Sequence, residues 1–244
     1  MTSDSKSVIP PSPSREDYLN DADRDMSWLE ANEPIDLFER WLSKAGQTEA
    51  SDPHAMSLAT VDADGRPDVR IVLLKGLDED GFVFYTNGQS AKGEQLAGAG
   101  QAALCFHWKT QKRQVRVRGT VEPVSAAQSD AYFNQRARGS QIGAWASQQS
   151  RPVASREAMV DAVESVEAKF KDKDVTRPAH WHGWRVIPQE IEFWQDGAFR
   201  LHDSIVFKAT ADGKAKADGK VKADGKVKAD GQHPRQWTKT RLFP

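Results

Sequence analysis

The central third of this 244-residue chain is a succession of short β-type runs separated by turn residues. The first run is interrupted by Asp62-Ala63-Asp64-Gly65, and Asp-Gly pairs are typical of tight hairpins. Short strands joined by short turns predict an antiparallel barrel or sandwich and disfavour a parallel sheet. The runs cover residues 56–74, 81–87, 101–108 and 113–124.

Helical patterns flank these strands. Ser125, with Gln128 three residues later, forms a capping box, and Ser155 can cap a later helix. The sequence therefore predicts an α+β fold, a β-barrel with flanking helices. The predicted helices cover residues 34–46, 90–98, 126–137 and 156–171.

Three further strands are predicted near the C-terminus: EIEFWQ (190–195), FRLHDSIVF (199–207) and QWTKTRLF (236–243). Side chains alternate along a strand, so Arg200, His202 and Ser204 would then share one face. We interpret this polar row as one wall of a ligand site.

The remaining segments suggest a single domain with two appendages. Residues 1–30 are rich in Ser, Pro, Asp and Arg, and we expect them to be mobile. Residues 31–244 form the domain, into which a low-complexity ADGKxK repeat is inserted at 209–233 as a solvated loop. Such an insertion is tolerated because each doubling of loop length costs only about 0.6 kcal/mol. A polybasic contact site is the alternative interpretation of the repeat.

Composition excludes several classes of function. A net charge of −1 gives no reason to expect nucleic acid or an anionic membrane as a partner. The single cysteine, Cys105, excludes internal disulfides and clustered cysteine zinc sites, and His180 and His182 lack further ligands nearby. No apolar run approaches the roughly 20 residues of a membrane span, and we expect a cytoplasmic protein without a metal.

Basic and hydroxyl side chains recur at predicted strand ends and helix starts. Arg70 and Lys75 flank an apolar strand, where a cation needs an anionic partner. Ser90 and Lys92 open a helix, which is a suitable seat for phosphate. Together they indicate a ligand with a phosphate and a flat polar ring. The other members of this set are Tyr85, Thr86, Gln114, Tyr132, Arg136, Ser140, Arg200 and His202.

These segments resemble the pyridoxine/pyridoxamine 5′-phosphate oxidase family. The resemblance implies an FMN-binding split barrel, antiparallel and Greek-key-like, that forms a homodimer with FMN at each subunit interface. The segments that carry it are RIVLLK (70–75), FYTN…S-x-K (84–92), RQVRVRG (113–119), YFNQRARGSQIGAWAS (132–147), IEFW (191–194) and RLHD (200–203).

The resemblance also implies residue roles. Arg70 and Lys92 would hold the FMN phosphate, whereas Arg200 and His202 would contact the substrate ring as the catalytic residues. Further implied FMN contacts are Lys75, Tyr85, Thr86, Ser90, Gln114, Gln149, Ser150, Trp194 and Ser204. The implied contacts of the substrate phosphate are Lys75, Tyr132, Arg136 and Ser140.

The implied reaction transfers a hydride from C4′ of pyridoxine or pyridoxamine 5′-phosphate to flavin N5, and O2 then reoxidises the flavin and gives H2O2. Two alternatives remain: a binding protein of the same fold with weak turnover, and a flavin oxidoreductase acting on another aromatic substrate. Ala91 and Ser204 stand where the family has arginines. Each lost charge-assisted hydrogen bond costs about 1.5–3 kcal/mol unless another group replaces it.

Overall fold

The computed structural model of the protein describes residues 14–16, 24–210 and 235–244. Residues 1–13 and 17–23 of the predicted N-terminal segment lie outside the described residues. So does the predicted loop insertion at 209–233, apart from Ala209 and Thr210 at its start.

The described residues form one curled antiparallel sheet, which confirms the predicted split-barrel fold class. Its main path runs in the order β2-β1-β5-β6-β7-β4-β3, while β8 pairs with β7 and β9 with β8. The strands are β1 Ala55–Val61, β2 Pro67–Leu73, β3 Gly76–Asp78, β4 Gly81–Asn87, β5 Gln101–Trp108, β6 Arg113–Pro123, β7 Trp181–Gln195, β8 Asp203–Ala209 and β9 Trp237–Leu242.

Five helices accompany the sheet in the described part of the chain, and serine caps start three of them. The hydroxyls of Ser90, Ser125 and Ser155 each accept a hydrogen bond from the backbone N–H three residues later. None of these helices is both long and apolar enough to span a bilayer. They are α1 Pro34–Thr48, α2 Ala91–Ala99, α3 Ala126–Asn134, α4 Arg138–Ala146 and α5 Arg156–Lys169.

Helix α1 fills the concave side of the sheet. Phe38 is fully buried, and its ring centroid lies 5.0 Å from that of Phe82 and 4.8 Å from that of Phe106. Ordered structure starts before this helix, because Ser27–Glu30 form a 3-10 turn whose Trp28 packs edge-on against Trp41. The sequence did not predict this turn, since its composition is that of a mobile segment.

The predicted strand 199–207 is wrong in its first part, because β8 begins only at Asp203. Phe199 and Arg200 adopt positive φ angles of 56° and 65°, and the Leu201 N–H bonds to the Ala198 carbonyl. The chain must reverse direction between β7 and β8, and these residues form the turn. Arg200 and His202 therefore do not share a strand face with Ser204.

Cross-strand pairing defines the two faces of the sheet, since directly paired residues point to the same side. The inner face, which packs on α1, carries a row in which Arg70 pairs with Leu58, Leu58 with Leu104 and Leu104 with Val117. The outer face carries the alternate residues, and one of its rows is Ile71, Ser57, Cys105, Arg116 and Glu192.

Truncation of the buried aromatic at the centre of α1 tests this core. Phe38→Ala should lower the free energy of unfolding by about 3–5 kcal/mol, because it leaves a cavity between helix and sheet. Phe243→Ala is the matched control, since Phe243 is 99% exposed and should change stability by less than about 0.5 kcal/mol. Denaturant unfolding at one protein concentration measures both, and equal losses would contradict this placement of the core.

Candidate functional site

Two predicted phosphate ligands, Arg70 and Lys92, form a basic pocket where β2 meets α2. The Arg70 Nη1 atom donates to the Leu58 carbonyl at 3.1 Å and to Thr60 Oγ1 at 2.5 Å. Its Nη2 atom donates to Asp68 Oδ2 at 2.5 Å and to Gln95 Oε1 at 3.0 Å. The guanidinium is therefore held by β1, β2 and α2 together.

Lys92 lies in the first turn of α2, two residues after the cap residue Ser90, and is 9% exposed. Burial lowers the pKa of its ammonium group, and the nearby Arg70 cation lowers it further. Two cations at a helix N-terminus form a favourable site for a dianionic phosphate, which would offset both effects.

An acidic side chain, Asp68, already bonds to Arg70 in the basic pocket. Its side chain is 49% exposed, so a phosphate that displaces it would return the carboxylate to water at low cost. The neighbouring position at the start of α2 is Ala91, which offers no charge. The residues present thus fit a phosphate, with two cations and the backbone N–H groups of α2 as its ligands.

A cavity of about 370 Å³ lies at the end of β4, beside the turn that leads into α2. Ser90 Oγ donates to the Asn87 carbonyl at 2.6 Å, and Asn87 itself lines the cavity. Thr86 Oγ1 lies 3.5 Å from Gln149 Oε1 across it. We call this cavity the aromatic cleft; its predicted site residues are Tyr85, Thr86, Arg136, Ser140 and Gln149.

Stacked rings support the arginine of the aromatic cleft. Tyr85 stacks on Tyr132 at 4.1 Å and on Trp181 at 5.3 Å between centroids, and the Arg136 guanidinium lies 4.8 Å above the Trp181 ring. Nη1 of Arg136 is buried without a hydrogen-bond partner among the described residues, and burial lowers the pKa of the guanidinium. A buried cation with an unused donor is suited to an anionic ligand.

The other predicted residues gather on the outer face, in what we call the outer-face cluster: Gln114, Trp194, His202 and Ser204. Gln114 pairs with Trp194 across β6 and β7, and Trp194 pairs with Ser204 across β7 and β8. The His202 ring lies 4.7 Å from the Trp194 ring. The Gly197 backbone N–H donates to His202 Nδ1 at 3.1 Å, and Asp196 Oδ1 lies 2.9 Å from the same nitrogen.

Three predicted site residues make no described contact with the basic pocket, the aromatic cleft or the outer-face cluster. Lys75 Nζ lies 3.3 Å from His54 Nε2, beyond the end of β2 away from the contacts of Arg70. Arg200 is exposed in the turn before β8, and Ser150 is exposed with a φ of 68°. Their predicted roles remain predictions.

Sequence reasoning missed Trp181, Asp68 and Gln95. Trp181 joins Tyr85 and Tyr132 in one stack, although the three are about 50 residues apart in the chain. No spacing pattern in the local sequence predicts such a contact.

The described residues contain no group of three or more His, Cys, Asp or Glu placed to hold a metal ion.

The basic pocket and the outer-face cluster lie on opposite faces of the sheet within a single protomer. Arg70 lies on β2 and faces inward, whereas Gln114 lies on β6 and faces outward. Three strand spacings separate β2 from β6 in the order β2-β1-β5-β6, which is about 14 Å. The two sets of predicted FMN contacts are thus separated both by the face of the sheet and by this distance along it.

Comparisons with known proteins agree with this architecture. The crystal structure of PhzG from Burkholderia lata, in complex with tetrahydrophenazine-1-carboxylic acid, has a TM-score of 0.76 and 26% identity, and the match covers 91% of this chain and 98% of that one. A pyridoxamine 5′-phosphate oxidase-related, FMN-binding protein from Nostoc punctiforme shares the fold, with a TM-score of 0.61 and 14% identity over 88% of this chain and all of its own. The fold is thus the split barrel of this group of proteins.

The sequence identifies the family. Family profiles match at residues 42–170, described as "Pyridoxamine 5'-phosphate oxidase", and at 181–244, described as "Pyridoxine 5'-phosphate oxidase C-terminal dimerisation region". The pyridoxine/pyridoxamine 5′-phosphate oxidase of Hyphomonas neptunium is 58% identical, with 85% of this chain and 94% of that protein covered. The pyridoxine/pyridoxamine 5′-phosphate oxidase of Maricaulis maris is 49% identical, and the match covers 97% of this chain and 98% of that protein. The chain belongs to the pyridoxamine 5′-phosphate oxidase family and is an oxidoreductase.

Removal of the unsatisfied arginine tests whether the aromatic cleft is built for a ligand at the expense of stability. Arg136→Met keeps an unbranched chain over Trp181 but removes a buried donor that costs about 1–3 kcal/mol. The ligand-free variant should unfold at the same temperature as the parent or higher. Arg138→Met is the control, because Arg138 donates to the carbonyls of Phe170 and Lys173 and its loss should be destabilising. Thermal unfolding measures both, and a large destabilisation by Arg136→Met would contradict this account.

Proposed function

We propose that the protein binds FMN between two copies of the chain and oxidises pyridoxine 5′-phosphate and pyridoxamine 5′-phosphate to pyridoxal 5′-phosphate. The placement of the predicted FMN contacts on opposite faces of one sheet carries this proposal. The family's C-terminal dimerisation region, which matches residues 181–244, supports the homodimer. We also propose that the enzyme acts in the cytoplasm.

The basic pocket of one protomer is suited to the FMN phosphate, for which Arg70, Lys92 and the N–H groups after Ser90 are available. Tyr85, Thr86 and Gln149 adjoin it and would contact the rest of the cofactor. Gln114, Trp194 and Ser204 would approach the ring system from the partner copy. Exposed apolar residues of β2 on the outer face, Val69, Ile71 and Leu73, are suited to contact that copy.

The aromatic cleft is suited to the substrate. Arg136, with Tyr132 and Ser140, would hold the substrate phosphate, and its unused Nη1 donor would gain an acceptor. His202 would contact the pyridine ring from the partner's outer-face cluster, and Arg200, in the turn just before His202, is proposed as a further contact of that ring. A phosphate held far from the reacting carbon orients the substrate, so binding energy is used to position C4′. Lys75 and Ser150 are proposed as further contacts.

Bound flavin would supply the redox chemistry, namely an acceptor for the hydride from C4′ and a route for its electrons to O2, which would give H2O2. The protein's own residues orient both partners and balance their charge. His202 Nδ1 accepts a hydrogen bond from the Gly197 N–H, which orients the ring beside Trp194. This reaction needs no nucleophile from the chain.

Two alternatives lead to different outcomes in a spectroscopic test. A binding protein with weak turnover would hold FMN but would oxidise the substrate poorly, because Ala91 and Ser204 replace cationic side chains. An oxidoreductase that acts on another aromatic anion would bind that anion through the same Arg136. The PhzG relative, which was crystallised with tetrahydrophenazine-1-carboxylic acid, is an example of a similar protein with such a ligand.

Flavin reduction by substrate tests the proposed function. The purified protein, reconstituted with FMN, should be yellow and should lose its visible flavin absorbance when pyridoxine 5′-phosphate is added without air. Admission of air should restore the colour and release H2O2. Arg136→Met should bind FMN normally but require far more substrate for bleaching. A protein that ignores FMN, or a flavin that only a different aromatic anion bleaches, would refute the proposal.

A further inference from the structure

We propose that Arg116 on β6 supplies the cation that Ser204 does not supply on β8. This inference rests on the proposed binding of FMN, and it assigns a cofactor-side role to a residue outside the predicted site. It also accounts for how the outer-face cluster can hold a flavin although position 204 carries no charge.

A single carboxylate connects the two positions. Arg116 is paired directly with Glu192 across β6 and β7, and its Nη2 atom bonds to Glu192 Oε2. The Ser204 hydroxyl donates to the other oxygen, Oε1, at 3.2 Å. Glu192 therefore lies between the strand that carries a guanidinium and the strand that carries the serine.

The burial of Glu192 makes the guanidinium necessary. The side chain of Glu192 is only 12% exposed, whereas that of Arg116 is 51% exposed. A buried carboxylate needs a cationic partner, and one serine hydroxyl does not neutralise it. Arg116 neutralises Glu192 with one nitrogen, and its exposed part still faces the open side of the sheet.

The position of Arg116 brings it next to the predicted flavin contacts. It follows Gln114 by two residues on the same face of β6, and Glu192 precedes Trp194 by two residues on the same face of β7. Same-face neighbours along a strand are about 7 Å apart, within the span of an arginine side chain. Arg116 also lowers the pKa of the Cys105 thiol, which burial raises, so its charge acts on the outer face.

A cation at this place has a chemical consequence for a bound flavin. The isoalloxazine ring gains electron density when it is reduced, and charge near N1 and N5 tunes its electronics. Arg116 would therefore strengthen FMN binding and raise the reduction potential of the bound flavin. Serine at 204 is then compatible with flavin binding because β6 supplies a positive charge beside the predicted flavin contacts.

The first experiment compares two arginines of β6 on the same face. Arg116→Gln should weaken FMN binding about 10- to 100-fold, the loss expected for one charge-assisted hydrogen bond, and should lower the flavin reduction potential. Arg118→Gln is the control, because Arg118 is 70% exposed and its Nη1 lies 3.7 Å from Glu190; it should bind FMN like the parent. Quenching of FMN fluorescence on titration with apoprotein measures affinity.

The second experiment tests replacement itself. Ser204→Arg should change FMN affinity little in the parent but should recover most of the lost affinity in the Arg116→Gln background. Equal tightening in both backgrounds would show that the two positions act independently and would overturn the inference. So would an Arg116→Gln variant that matches Arg118→Gln.

Stability is separated from binding by a further pair of variants. Arg116→Gln could unfold because Glu192 loses its partner. A double variant, Arg116→Gln with Glu192→Gln, removes both charges and avoids this problem. Its FMN affinity is compared with that of Glu192→Gln alone. The inference requires weaker FMN binding in the double variant than in the single one, and equal binding would overturn it. If the parent itself does not bind FMN, the proposed function fails as well, whereas normal FMN binding by both parent and Arg116→Gln refutes this inference alone.

Discussion

The alternation of side chains across one sheet is the constraint on which the site depends. Antiparallel pairing places Arg70 on the inner face with the core, and it places Gln114, Trp194 and Ser204 on the outer face. Within one protomer, the two groups of predicted FMN contacts therefore lie on opposite sides of the sheet. Association of two chains is therefore part of the proposed active site, and it explains why β2 exposes Val69 and Ile71 at 64% and 65% on the outer face.

Two partly buried cations lower the stability of the isolated protomer. Lys92 and Arg136 are both partly removed from water, and burial lowers the pKa of each. Such groups reduce stability unless an anion meets them, so their presence indicates ligands with negative charge. The aromatic core around Phe38 and the stack around Trp181 supply the rigidity that keeps these cations in place.

Local signals in the sequence predicted most of the fold, because hairpin turns and serine caps act over a few residues. Ser90, Ser125 and Ser155 cap the predicted helices, and β4 has the predicted bounds. The strand predicted over residues 199–202 was wrong because a β-type composition does not show where the chain must turn. Trp181 and the Arg116–Glu192 pair were missed because they depend on the packing of residues distant in sequence.

Complementation between two inactive variants tests the central claim, a site shared by two chains. Lys92→Ala damages the basic pocket and Trp194→Ala the outer-face cluster, so neither homodimer should bind FMN well. When the two are mixed and reassociated one to one, half of the dimers are mixed and each has one intact site, so about a quarter of all sites should bind FMN and turn over. Mixed dimers, verified by mass, that bind no more FMN than their parents would contradict the account.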